Sequence, residues 1–172
     1  MAETERDKQR RLLQTVASDI AKARLEVQRD PSLLQARDGV GETAFHYAIV
    51  ENRLDLAQDL LQWGSDINTR DHSGATSLMH AVQLGYLDAV KWLVKNGADI
   101  DQKDESEETA LSKATQNDRK QKEIFEFLLS LPRRQDINYY YDDLSAQAVF
   151  DDTTLVMRDT LIGLGLTKRF DH

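Results

Sequence analysis

The chain has 172 residues, with 30 acidic against 22 basic side chains, a formal charge of −8 and a pI near 5.0. That length fits one domain or one array of small units, and the charge excludes non-specific binding to nucleic acid or to an anionic membrane as the main task. The absence of cysteine removes disulfides, thiolate metal sites and a cysteine nucleophile together.

The first eleven residues are crowded with Glu, Arg and Lys and carry no apolar core of a signal peptide, so a cytoplasmic location is the expectation. No apolar run approaches the roughly 20 residues that span a bilayer. Leu12, Leu13 and Val16 predict an inner helix, and residues 20–30 an outer helix that Pro31 ends. The stretch from Arg6 to Arg11 is locally basic, which reads either as an ordinary frayed helix start or as a phosphate-binding arm.

From Asp38 onward the chain repeats every 33 residues. Asp38, Asp71 and Asp104 form one column; Thr43, Thr76 and Thr109 another; Ala48, Ala81 and Ala114 a third. Leu12, Phe45, Leu78 and Leu111 extend the ladder back into the N-terminal segment, and Leu60/Leu93, Gly64/Gly97 and Ile67/Ile100 add further rungs. The threonines sit where a hydroxyl can cap a helix, the alanines where helices approach closely, and Gly64 and Gly97 at helix ends that want a left-handed residue. A third copy, 104–136, replaces the turn glycine by Glu107 and carries two extra residues near Asn117 to Lys122, because Phe127, Leu128 and Leu129 arrive late. After it, Asp136-Ile137-Asn138 repeats the turn motif, and about seven extra residues lengthen the last hairpin before a closing helix from Thr153 to Leu164.

Residues 38–70 and 71–103 resemble the ankyrin repeat. Asp38, Gly41, Thr43, Phe45, His46, Ala48 and Asp66-Ile67-Asn68 match the family pattern, as do Asp71, Gly74, Thr76, Leu78, Ala81 and Gly97-Ala98-Asp99-Ile100. The proline that follows the threonine in the family is replaced by Ala44, Ser77 and Ala110, and the family histidine survives only as His46. The resemblance implies an all-α solenoid, a stack of antiparallel helix pairs joined by hairpin fingers. The expected organisation is one domain: a capping half-repeat over 1–37, repeats over 38–70, 71–103 and 104–136, and a lengthened hairpin with a capping helix over 137–172. Asn68 and Asn138 match the position that asparaginyl hydroxylation modifies in some animal ankyrin proteins, although an amide that closes the turn is the plainer reading.

No catalytic constellation emerges, and no enzyme activity or cofactor is expected. The four histidines, His46, His72, His80 and His172, show no metal-ligand spacing. Asp99-x-Asp101-x-x-Asp104 lacks the glycine and distal glutamate of an EF-hand and reads as a solvated turn. Gly163 to Lys168 has the wrong spacing for a phosphate loop, and Asp142-Asp143 and Asp151-Asp152 read as surface charge.

The resemblance further implies a partner protein bound on the concave side, by a chain that is itself a monomer. The candidate contact residues stand at the non-structural columns. On the fingers they are Val40, Glu42, His72, Ser73, Glu105 and Glu108; on the inner helices Tyr47, His80, Gln83 and Lys113; and in the lengthened hairpin Tyr139, Tyr140 and Tyr141. Asp99, Asp101, Asp104, Glu105, Glu107 and Glu108 make the third finger acidic, suited either to steering a basic partner or to nothing beyond solvation. Trp63 and Trp92 fall late in outer helices and are expected to pack on the convex side. The function expected is a non-catalytic protein-interaction module, with an inhibitor or immunity protein that blocks a toxin or hydrolase as the alternative.

Overall fold

A capping box starts the first helix. In the computed structural model, which describes residues 3–114 and 121–131, the Thr4 hydroxyl accepts from the Asp7 amide at 3.2 Å and the Asp7 carboxylate accepts from the Thr4 amide at 3.3 Å. Helix α1 (Glu5–Ser18) ends at Asp19, which also caps α2 (Ile20–Arg29) through the Lys22 amide. Asp30 then caps the 3-10 turn Pro31–Leu34, whose proline needs no amide partner. The segment ahead of the first finger is therefore a full helix pair.

Three further pairs follow: α3 (Ala44–Val50) with α4 (Leu54–Gln62), α5 (Ser77–Gln83) with α6 (Leu87–Lys95), and α7 (Ala110–Ala114) with α8 (Lys122–Leu129). Thr43, Thr76 and Thr109 stand immediately before α3, α5 and α7. Thr76 and Thr109 accept from the amides of Met79 and Ser112, and Thr43 pairs with His46 in a second capping box. The inner helices α1, α3, α5 and α7 pack in succession, and α6 packs on α8 in the outer layer. Ala48, Ala81 and Ala114 have no exposed surface, as neighbours at close approach require.

The outer helices bury one stripe each: Ala23 and Val27; Leu56, Ala57 and Leu60; Ala89, Val90 and Leu93; Ile124, Phe125 and Leu128. With the inner faces these make one continuous core, in which each buried Leu, Ile or Phe contributes about 2 kcal/mol. Trp63 and Trp92 are half-buried against this core, and the Trp92 ring lies 6.4 Å from that of Phe45 in the preceding repeat, so Trp92 joins two repeats. Helices α5 and α7 begin 33 residues apart, at Ser77 and Ala110, whereas α6 and α8 begin 35 apart, at Leu87 and Lys122. The extra pair of residues falls between α7 and α8. The buried side-chain amide of Gln121, immediately before α8, donates to the carbonyls of Val82 and Gln83 at 2.9 and 3.2 Å, tying the start of α8 to the end of α5.

Each finger is a turn built on its column aspartate. Asp38 Oδ1 accepts from the Val40 and Glu42 amides, Asp71 Oδ1 from Ser73 and Ala75, and Asp104 Oδ1 from Ser106 and Glu108, all at 2.8–3.0 Å. The fourth residue of each turn has positive φ: +86° at Gly41, +77° at Gly74 and +61° at Glu107. Among the described residues, strand-like pairing is confined to the bridges Arg70/Thr76 and Lys103/Thr109 at the finger bases.

Candidate partner-binding face

The fingers are laced to one another by the backbone. The His72 amide donates to the Val40 carbonyl at 3.0 Å, and the Glu105 amide to the Ser73 carbonyl at 2.9 Å, one repeat further on. An arginine column runs beside these bonds. Arg37 donates to the carbonyls of Gly41 and Arg70, and Arg70 to those of Gly74 and Lys103. Asn68 belongs to the same lacing: its side-chain oxygen accepts from the Asp99 amide at 2.8 Å, so the amide joins two repeats rather than closing its own turn.

On this frame Val40, His72, Ser73 and Glu105 are exposed on successive fingers, and Tyr47 and Gln83 on α3 and α5. Glu42 and His80 are half-buried and face each other at 3.9 Å, with Asp71 Oδ2 3.0 Å from the same His80 Nε2. Lys113 differs from expectation. It is only 5% exposed, held by Asp104 Oδ2 at 2.6 Å and Glu108 Oε2 at 2.9 Å. Burial disfavours its charge, but the hydrogen bonds it donates to Asp104 and Glu108 outweigh that and raise its pKa. Lys113 and Glu108 thus form an internal ion pair, and the lysine is not offered to a partner. In the Asp99–Asp104 stretch, Asp99 Oδ1 accepts from the Asp101 amide, and Asp104 is divided between its turn and Lys113.

Tyr139, Tyr140 and Tyr141, with Asn138, the acidic pairs after them, the stretch Gly163 to Lys168 and the closing helix, lie outside the described residues. In their place the structure adds α1. Arg6, Gln9, Arg10, Leu13 and Gln14 line a shallow groove of about 430 Å³ with Asp38, Glu42 and Tyr47. Gln14 stands 33 residues before Tyr47, so the column that supplied Tyr47 and His80 already pointed to it. The arginines are invisible to that column, because α1 starts earlier than its counterparts: Glu5 lies 39 residues before the start of α3, not 33.

His46 is fully buried. Its Nδ1 accepts from the Thr43 amide at 3.2 Å, and its ring meets the His80 ring edge-on at 5.8 Å. Burial and the neighbouring His80 push its pKa down to about 4, against the pull of Asp71 and the Ala75 backbone. It is a structural group and not a contact residue. Burial also holds the Glu42 carboxyl above its ordinary range, opposed by His80 and reinforced by Asp38 and Asp71.

A stack of helix pairs crossed by aspartate-nucleated fingers defines an α-helical repeat array. Residues 64–140 match a model of three ankyrin-repeat copies and residues 40–72 match the single ankyrin repeat, which together span more than half the chain. The protein belongs to the ankyrin-repeat family, whose members generally mediate protein–protein interactions and are typically non-catalytic. No curated protein matches the chain significantly. Among the described residues no helix is long and apolar enough to cross a membrane.

Proposed function

We propose that the chain is a non-catalytic interaction module that holds one partner protein against its fingers and inner helices. The observation that carries this reading is the exposure of apolar side chains beside a saturated structural ladder. Val40 is 60% and Tyr47 41% exposed on the first finger and α3, and Leu84, 45% exposed, caps α5, while the repeat's own signature residues are buried or bonded internally. Exposed aromatic and aliphatic groups flanked by polar ones are what an interface anchor needs. Neighbouring Glu105 and Glu107 on the third finger favour a partner with a basic rim.

The test compares capture from native lysate by wild type and by a variant with Val40→Ser, Tyr47→Ala, His72→Ala and Gln83→Ala. A protein retained by wild type and lost by the variant supports the face; equal retention refutes it. Whether the captured protein keeps its activity separates a tether from an inhibitor. Glu105→Lys with Glu107→Lys is expected to weaken a basic partner about tenfold at low salt and much less at 0.5 M salt.

A further inference from the structure

Two carboxylates and an imidazole converge where the first finger, the second finger and α5 meet. His80 Nε2 lies 3.0 Å from Asp71 Oδ2 and 3.9 Å from Glu42 Oε1, and one donor atom from each of the three lies within 4.8 Å of the others. We propose that Glu42, Asp71 and His80 bind a divalent transition-metal ion of the zinc class, which would clamp the two fingers to α5 on the concave face. Zinc bonds to imidazole nitrogen and carboxylate oxygen run to about 2.0–2.2 Å. Ligand atoms around such an ion stand roughly 3.3 Å apart, a spacing bracketed by the two observed distances. A histidine with only two carboxylates suits zinc and its neighbours, and is too poor in oxygen for calcium.

The ligands are held before any ion arrives. Asp71 Oδ1 is fixed by the Ser73 and Ala75 amides, which turns Oδ2 toward His80. Glu42 is pinned on both sides of its backbone: its amide donates to Asp38 Oδ1, and its carbonyl accepts from Gln9 Nε2 at 2.8 Å. Such outer partners orient metal ligands. His46 packs beside the site, its ring edge-on to that of His80 at 5.8 Å, but it is not among the donors that lie within 4.8 Å of one another.

The next repeat supplies an internal comparison. Thirty-three residues on, Asp71 and His80 become Asp104 and Lys113, and there the lysine ammonium sits between Asp104 Oδ2 and Glu108 Oε2 at 2.6 and 2.9 Å. The third repeat thus neutralises its two carboxylates with a cation of its own. The second repeat puts a third ligand in the position of that cation, and takes its second carboxylate, Glu42, from the preceding finger.

The experiment is calorimetric titration of Zn²⁺ into the metal-stripped full chain, with melting temperature as the second readout. Wild type is expected to take up one equivalent at this site and to melt at a higher temperature with zinc. His80→Lys, which rebuilds the arrangement of the third repeat, is expected to fold, to weaken binding at least about 100-fold, and to lose the zinc-dependent shift. Glu42→Gln is expected to weaken it at least about tenfold, and it gives the reading if His80→Lys fails to fold. His72→Ala is expected to bind as wild type. Absence of saturable binding by wild type, or undiminished binding by both His80→Lys and Glu42→Gln, overturns the assignment.

Discussion

His46 shows how a single signature residue couples the fold to pH. Its folded pKa is about 4 against 6.5 for the free side chain, so between these values the unfolded chain holds the extra proton. Stability from this group is complete above pH 6.5 and falls as the pH drops toward 4, by about 1.4 kcal/mol per unit. Asp71 and Asp104, whose carboxyls are held below 3.8 by hydrogen bonds that outweigh burial, add losses of the same sign only at lower pH. Urea midpoints measured from pH 7 to 4 should therefore decline in wild type, and His46→Gln should remove most of that slope; an unchanged slope would contradict the assignment. Glu107 is the second informative residue. It occupies the left-handed turn position that glycine holds in the two preceding fingers, and such a conformation costs a side chain about 1 kcal/mol. Glu107→Gly should raise the urea midpoint; a lowered midpoint would mean that the Lys103–Glu107 pair outweighs the backbone strain.

At the scale of elements, the fingers act as one ladder. A Cβ at Gly41 would fall 2.6 Å from the His72 amide nitrogen of the next finger, at a φ of +86°. Gly41→Ala should therefore cost at least about 2 kcal/mol, while Gly39→Ala, with nothing within 4 Å, should stay within about 0.5 kcal/mol of wild type. Equal effects in chemical denaturation would show that the fingers do not press on one another as described. Asn68→Ala removes the bond to the Asp99 amide and should cost about 1 kcal/mol in the same assay. The column of Arg37, Arg70 and Lys103 was visible in the sequence at the 33-residue spacing. Its role was not, because a carbonyl acceptor leaves no mark in the sequence: every residue has one.

At the scale of the whole molecule, what the period carries was legible and what breaks it was not. The threonine caps, the alanine contacts, the left-handed glycines and the two-residue offset of α8 all follow from the ladder Asp38, Asp71, Asp104 and its companions. Glu42 and His80 are 38 residues apart and Gln121 and Val82 are 39 apart, off the ladder, so their pairing depends on how one repeat leans on the next. Lys113 shares a column with Tyr47 and His80, yet it turns inward because two carboxylates wait there. The surface left for a partner is consequently narrower on the third repeat and broader at α1 than the columns imply. Its most direct test places a photo-crosslinking amino acid at Tyr47 on the concave side and, separately, at exposed Asp88 on α6, in otherwise wild-type protein exposed to the same native lysate. A discrete cross-linked partner is expected from position 47 and none from position 88; the reverse pattern would place the partner on the outer helices instead.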